Sequence, residues 1–430
     1  MTDAFSIDFQ WLDRNTADEA ERLTFAEIKI TVGGVVITEV EDVNAKTIRP
    51  GVRLSAYAMA IWLLDNWWRL LREPERATHS WEMSHCLGAI GQGFLWPDLS
   101  VVSDGTSILL RMTPTPKASQ QMVRYLNGVC DIVSVDDFET TVLTFVDAVI
   151  NRLQTMGCQA TQLLNLREAI EEERNNLSSL RWREIEALLG YDPDEAPEKL
   201  IEELIAEGDS LGSGAVDEVL ALSKAESPQM LNLLFNSIRQ YTATMHVPDS
   251  ERLRKQTANI DHAMQPWERA AKAAQAARKH WAIQDGPVSN QQLLNLFTLP
   301  ITIFTDKQKV PSPITVGFLN GNNDRIDAYL NTPYETNRRF ALMRIVGDRL
   351  SSSEIDRFLP VTTVKTARQK FQRAFAQEFL CPSDELKAFI GEDFGEDKLD
   401  DAAHHFNVST RLIETTMVNK WHKERDILYE

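Results

Sequence analysis

Cysteine is scarce in this 430-residue chain: Cys86, Cys130, Cys158 and Cys381 are the four present, and no two form a C-x-x-C pair. Neither a disulfide framework nor a cysteine zinc site is therefore expected. Long apolar runs are missing as well. The longest, Leu54 to Leu64, ends at Asp65, far short of the roughly 20 residues a membrane helix needs, so an integral membrane protein is excluded. Met1-Thr2-Asp3-Ala4 opens without a basic or apolar leader, and a cytoplasmic location is expected. Positive charge is in deficit, since 45 Lys and Arg against 63 Asp and Glu leave a formal charge of -18. Such a chain repels nucleic acid unless a local basic face reverses the sign. The signatures G-x-S-x-G, P-loop and G-x-G-x-x-G are also absent, which removes the usual marks of acyl transfer, nucleotide hydrolysis and dinucleotide binding. No two of the eight histidines stand in an H-x-x-x-H relation, and His85-Cys86 and His404-His405 are adjacent. Adjacent side chains on a helix diverge by about 100°, so no metal and no cofactor is expected.

What is present reads as an α+β protein. A composition of 43% apolar and 25% charged residues is that of a globular chain, and at roughly 150 residues per domain the length suggests about three domains. Residues 1–158 read as a mixed α/β domain. Gly33-Gly34 between Ile28-Lys29-Ile30-Thr31-Val32 and Val35-Val36-Ile37-Thr38 marks a hairpin, because the primed two-residue turn requires positive φ. A helix is expected over Val52 to Arg72, a second near Trp81 to Ile90 and a third from Asp137 to Met156, with strands near Leu99 to Val102 and Ile108 to Met112. Six of the ten tryptophans lie before residue 100 beside aliphatic residues at helical spacing, and they read as core. Residues 159–284 read as an all-helical middle. Its stretch Asp192 to Asp209 is acidic, Arg252 to Lys279 is basic, and Ser210 to Gly214 is a turn between helices. Residues 285–395 begin a further domain with a helix at Asn290 to Leu296, strands at Ile301 to Thr305, Thr315 to Leu319 and Arg325 to Leu330, and a turn at Asn320 to Asp324. Two helices follow, Asn337 to Leu350 and Ala367 to Phe379, and residues 396–430 form a closing helical element.

Two stretches carry a pattern. The first is Arg338-Arg339-Phe340-Ala341-Leu342-Met343-Arg344-Ile345-Val346-Gly347-Asp348, and the second is Phe375-Ala376-Gln377-Glu378-Phe379-Leu380-Cys381-Pro382, with Phe406-Asn407-Val408-Ser409 downstream. Together, over about residues 285 to 420, they resemble the ImmA/IrrE family of metallopeptidases. That family pairs R-R-F-x-x-A-H-E-x-G-H with a helix ending F-A-x-x-L-L-x-P. The resemblance implies a zincin-like fold whose chemistry is lost. In H-E-x-x-H two histidines on one helical face bind zinc while the glutamate polarises water. Here Arg344, Ile345 and Asp348 stand at those positions, and Gln369 stands where the later acidic ligand aligns. The chain is thus expected to be a degenerate, non-enzymatic member.

Recognition is the remaining expectation. Active family members resemble sensors that regulate bacterial stress responses, so a protein partner is implied, in the context of mobile-element or anti-phage regulation. The candidate groove is lined by Phe340, Arg344, Asp348, Gln369 and Arg373, with Arg344 and Asp348 placed to neutralise each other at i,i+4. The candidate anion-binding surface is Lys365, Arg368, Lys370 and Arg373 with Arg338, Arg339 and Arg349. Its ligand is a phosphate, an acidic peptide or the chain's own acidic middle segment. Two alternatives stay open. Leu399 to Asn419 reads as helix, turn at Asn407 and helix capped by Ser409, a helix-turn-helix-like element with Arg411 and Asn419 as candidate DNA contacts. An active zinc endopeptidase with relocated ligands is the second. The oligomeric state is left open.

Overall fold

The computed structural model describes residues 4–159, 161–222, 242–305, 314–320 and 325–421, together with Leu231, Phe235 and Ile238. The expected turn at Asn320 to Asp324 therefore lies outside the described residues from 321 onward. The chain is α+β and divides into two compact units, Met1–Ile205 and Ala206–Glu430. Among the described residues no helix is long and apolar enough to cross a membrane.

The first unit is organised by β1 (Phe5–Trp11) and β2 (Phe25–Val32), which follows the short helix α1 (Glu19–Leu23). In β2 every second residue is buried, Ala26, Ile28, Ile30 and Val32 being at most 1% exposed, as a strand with one face on a core requires. It pairs antiparallel with β1 from Phe5 opposite Val32 to Trp11 opposite Ala26. The Gly33-Gly34 turn, at φ +56° and +81°, leads into β3 (Val35–Val36) as expected. The strands β4 (Val40–Asp42), β5 (Thr47–Arg49) and β9 (Val123–Tyr125) form a second sheet; β7 (Leu99–Ser103), β8 (Ser107–Met112) and β10 (Val129–Ser134) form a third.

The single helix expected over Val52 to Arg72 is corrected. Its first residues are β6 (Val52–Ser55), paired with β2 from Ile28 opposite Val52 to Phe25 opposite Ser55. The partner strand supplies hydrogen bonds that local helical periodicity does not reveal. Ser55 then caps α2 (Ala56–Asp65) by accepting from Ala58 N at 3.2 Å, and Asn66 separates it from α3 (Trp67–Arg72). The helix α4 (His79–His85) and the long α5 (Val135–Thr155), with seven buried residues on one face, complete the shell. Trp62, Trp67, Trp68, Trp81 and Trp96 are at most 9% exposed and serve as core.

The expected all-helical middle is not one body. Its helices α6 (Thr161–Asn175) and α7 (Leu177–Leu189) pack on α2 and α3 in the first unit, and the division falls within α8 (Glu198–Leu211). The second unit takes the rest: α9 (Ser213–Leu220), α10 (Ser250–Ala258), α11 (Pro266–His280) and a strand, β11 (Ala243–His246). That strand escaped sequence reading because four residues carry no helix-or-strand period of their own, and its pairing with β13 (Arg325–Tyr329) decides its state. After α12 (Asn290–Phe297), the expected strand at Ile301 to Thr305 is a helical turn, α13 (Thr302–Thr305), begun by Ile303 N bonding to Pro300 O.

A four-stranded antiparallel sheet in the order β11, β13, β12 (Thr315–Asn320), β14 (Phe358–Val361) backs the site. Against it lie α14 (Glu335–Ser351) and α15 (Ala367–Leu380), and α11 packs along α15. Two glycines set these approaches. A Cβ on Gly347 would meet the Phe375 ring at 2.8 Å, and one on Gly317 would meet Ile326 and Ile345 at 2.7 and 2.8 Å. The closing helices α16 (Ser383–Ile390), α17 (Glu396–Phe406) and α18 (Thr410–Trp421) place Leu386, Leu399, Phe406, Ile413 and Met417 in the same core, so residues 396–421 belong to this unit.

Candidate functional site

The facing sides of α14 and α15 bring Arg344, Asp348 and Gln369 together, three of the four positions the resemblance singled out. Ile345 instead points into the sheet core and is fully buried. Arg344 and Asp348 do not pair with each other, which corrects the expected i,i+4 neutralisation. Asp348, itself inaccessible, accepts two bonds from Arg368, at 2.7 Å from Nε and 2.8 Å from Nη2. This bidentate fork outcompetes a single contact along one helix. The third arm of Arg368, Nη1, donates to Asp356 at 2.7 Å. Burial opposes the Arg368 charge, but Asp348 and Asp356 outweigh it and raise its pKa.

Arg344 turns the other way. Its Nη2 donates to Thr362 O at 2.8 Å and to the Oε1 atoms of Gln369 and Gln372 at 2.5 and 3.3 Å. The two glutamines are aimed by the sheet edge, each donating its Nε2 to Pro360 O at 3.0 Å. Gln369 Oε1 also accepts from Thr362 N at 2.9 Å. Burial, with the neighbouring charge of Arg373, brings the Arg344 pKa down to about 9. Among the described residues its Nε and the Oγ1 of Thr362 are buried without a partner. Arg373 donates to Thr362 O and Val364 O at 3.3 and 2.6 Å. The fourth member comes from α9, where Glu218, 7% exposed, accepts from Thr366 Oγ1 at 2.7 Å. Burial pushes its carboxyl up to about 7, although Arg368 pulls the other way.

The expected basic surface is largely internal, and this too is a correction. Arg338 and Arg339 are 8% and 0% exposed. Arg338 donates to the carbonyls of Ile303, Leu330 and Thr332, while Arg339 ties Val288 O, Asn290 and Asn407 O together. Guanidinium groups with fixed forks suit such stitching of separate segments. Arg349 is 1% exposed, and Phe340 packs half-buried against the core. Lys365 is exposed, and Lys370 lies 6.0 Å from the Trp267 ring. In the closing element Asn407 takes a left-handed turn, Ser409 Oγ accepts from Leu412 N at 3.3 Å, and Arg411 and Asn419 are exposed.

Sequence reading missed Glu218, Asp356, Thr362, Thr366 and Gln372. Only Thr366 had a local signal, as N-cap of α15, where it accepts from Gln369 N at 3.3 Å. Among the described residues, no group of three or more His, Cys, Asp or Glu is arranged to hold a metal ion. In comparisons with protein families, curated proteins and solved structures, nothing matches this chain.

Proposed function

We propose that residues 285–395 carry a peptidase-like domain without hydrolytic chemistry and that the chain acts as a regulator by binding a protein partner. The observation that supports this is the occupation of the space between α14 and α15. Arg344 fills it with a guanidinium held by Thr362, Gln369 and Gln372, and Asp348 is held on two sides by Arg368. A guanidinium repels a divalent cation, and with a pKa of about 9 it stays protonated at neutral pH, so it is no general base. Ile345 offers no proton to exchange and packs on Gly317. A protein partner is preferred to duplex DNA. Arg411 and Asn419 are exposed, yet α17 beside them carries Glu396, Asp397, Asp400 and Asp401, which repel phosphate. Regulation of a mobile element or of phage defence in bacteria belongs to the same proposal.

Elemental analysis tests it, on untagged protein purified without chelator, with an Arg344→Ala, Asp348→Ala double variant beside the wild type. Zinc well below one per chain in both is the expected result. Zinc near one per chain in both would place a metal site elsewhere and overturn the reading.

A further inference from the structure

The Arg344 cluster is closed. Asp348, Gln369 and Gln372 are fully inaccessible, and at the sheet edge the two glutamines already hold Pro360 O and Thr362 N. A partner of this unit therefore needs another surface. At the opposite end of the same sheet lies β11, and its last residue, His246, begins an open cleft of about 730 Å³, within the size range of ligand sites.

One face of α10 lines this cleft. Arg252, Lys255, Gln256 and the C-cap Asn259 follow one another at i, i+3, i+4 and i+7, while Leu253 and Thr257, 2% and 4% exposed, are turned into the protein. That spacing keeps the four on one helical stripe about 10 Å long. Among the described residues, the side chains of His246, Arg252, Gln256 and Asn259 have no hydrogen-bond or ion-pair partner. The two acids of the cleft are engaged. Asp249 meets His280 at 2.9 Å, and Glu251 meets Arg254 and Lys255, both at 3.4 Å. Residues 246–280 hold seven Lys and Arg against four Asp and Glu in a chain of charge -18, so the unanswered charge in the cleft is positive and is that of Arg252.

Resting on the reading of a protein partner above, we propose that this cleft is where the partner docks, and that it receives an extended segment bearing an acidic side chain. A stripe of about 10 Å spans about three residues of extended chain. Gln256 and Asn259 each offer a donor and an acceptor to the backbone of that segment. Arg252, with Lys255 one turn on, takes the carboxylate through its fork of donors. Nucleic acid is the poorer fit, because the carboxylates of Asp249 and Glu251 in the same cleft repel a run of phosphates but leave room for a single carboxylate on Arg252.

The probe is a random peptide library displayed on phage and panned on the full chain. Selected peptides should be enriched in Asp and Glu. A labelled peptide made from the strongest of them should bind Arg252→Glu at least tenfold more weakly than wild type and Asn259→Ala at least threefold more weakly, and should slow hydrogen exchange across 250–259. Lys272→Glu, at an exposed cation of α11 outside the cleft, should stay within twofold of wild type. All three positions are exposed, and circular dichroism checks that each variant folds. Failure to select any peptide, or binding that Arg252→Glu weakens no more than Lys272→Glu does, would overturn the proposal. An oligothymidylate strand that binds wild type but not Arg252→Glu, with no acidic peptide selected, would give the cleft to nucleic acid and overturn it as well. The zinc content is read separately. Zinc near one per chain with Arg252-dependent peptide binding removes the reading of a peptidase without chemistry and keeps the cleft, whereas absence of zinc with no such binding does the reverse.

Discussion

Two buried arginines, one in each unit, meet the same cost of burial in different ways. Arg69, 3% exposed, has a partner on each guanidinium nitrogen: Nε to Glu73 and Nη1 to Asp192 at 2.7 and 2.8 Å, and Nη2 to the carbonyl and hydroxyl of Ser80, both at 3.3 Å. Burial alone would lower its pKa, but the two carboxylates raise it. Arg344, 8% exposed, has among the described residues neutral acceptors and an unpartnered Nε, and burial lowers its pKa to about 9. The first is a closed structural lock. The second is a cation held by neutral oxygens at one of the positions the resemblance singled out, which is why the second cluster, and not the first, is the candidate site.

The sharpest way to break this comparison is to remove a partner of the first arginine and to replace the second arginine itself. Glu73→Ala should cost about 3–5 kcal/mol, the usual loss when a buried pair is severed, whereas Arg344→Met should stay within about 1 kcal/mol of wild type or gain stability. Urea unfolding of both variants checks it, and equal losses would mean that the two clusters are the same kind of object.

Acidity sharpens the contrast next, because the two units should respond in opposite directions. Burial depresses His85, fully inaccessible against Trp81 O and Arg69 O, to about 4. Its contribution is present above the unfolded value near 6.5 and lost as pH falls toward 4. Glu218 is raised to about 7, so its contribution is present below about 4.5 and lost as pH rises through 7. Each effect is at most about 3 kcal/mol by the shift involved. Hydrogen exchange between pH 5 and 8 should show α4 loosening at the acid end and α9 at the other. Glu218→Gln should flatten the second trend alone.

The smallest effect expected is steric. Gly347→Ala would drive a methyl into the Phe375 ring at 2.8 Å and should cost about 1–3 kcal/mol, as overpacking of a filled core does. A melting temperature unchanged from wild type would show that α14 and α15 can separate freely. Their close approach would then not be what holds the arginine cluster.

Much of the secondary structure was legible, for local reasons. The Gly33-Gly34 hairpin, the strands Leu99–Ser103 and Ser107–Met112 and the helices Glu335–Ser351 and Ala367–Leu380 follow from turn chemistry and periodicity within a few residues. The Val52–Ser55 and Ala243–His246 strands did not, because each is defined by the strand it pairs with. At the site, the family resemblance brought Arg344, Asp348 and Gln369 to attention, but the expected pairing of Arg344 with Asp348 gives way to Arg368. Sequence reading also offered Arg338 and Arg339 as surface cations, although both are used inside to join segments.

The amino-acid sequence by itself determined that this is an α+β chain and which side chains stand at positions 344, 345, 348 and 369; both are matters of composition and of order along the backbone. Only the tertiary structure decided which charges meet. Asp348 chose Arg368 twenty residues away, and Thr366 found Glu218 at a separation of 148. The strength of an ion pair depends on distance through space and on the water excluded around it, and neither quantity is written in the spacing of residues along the chain.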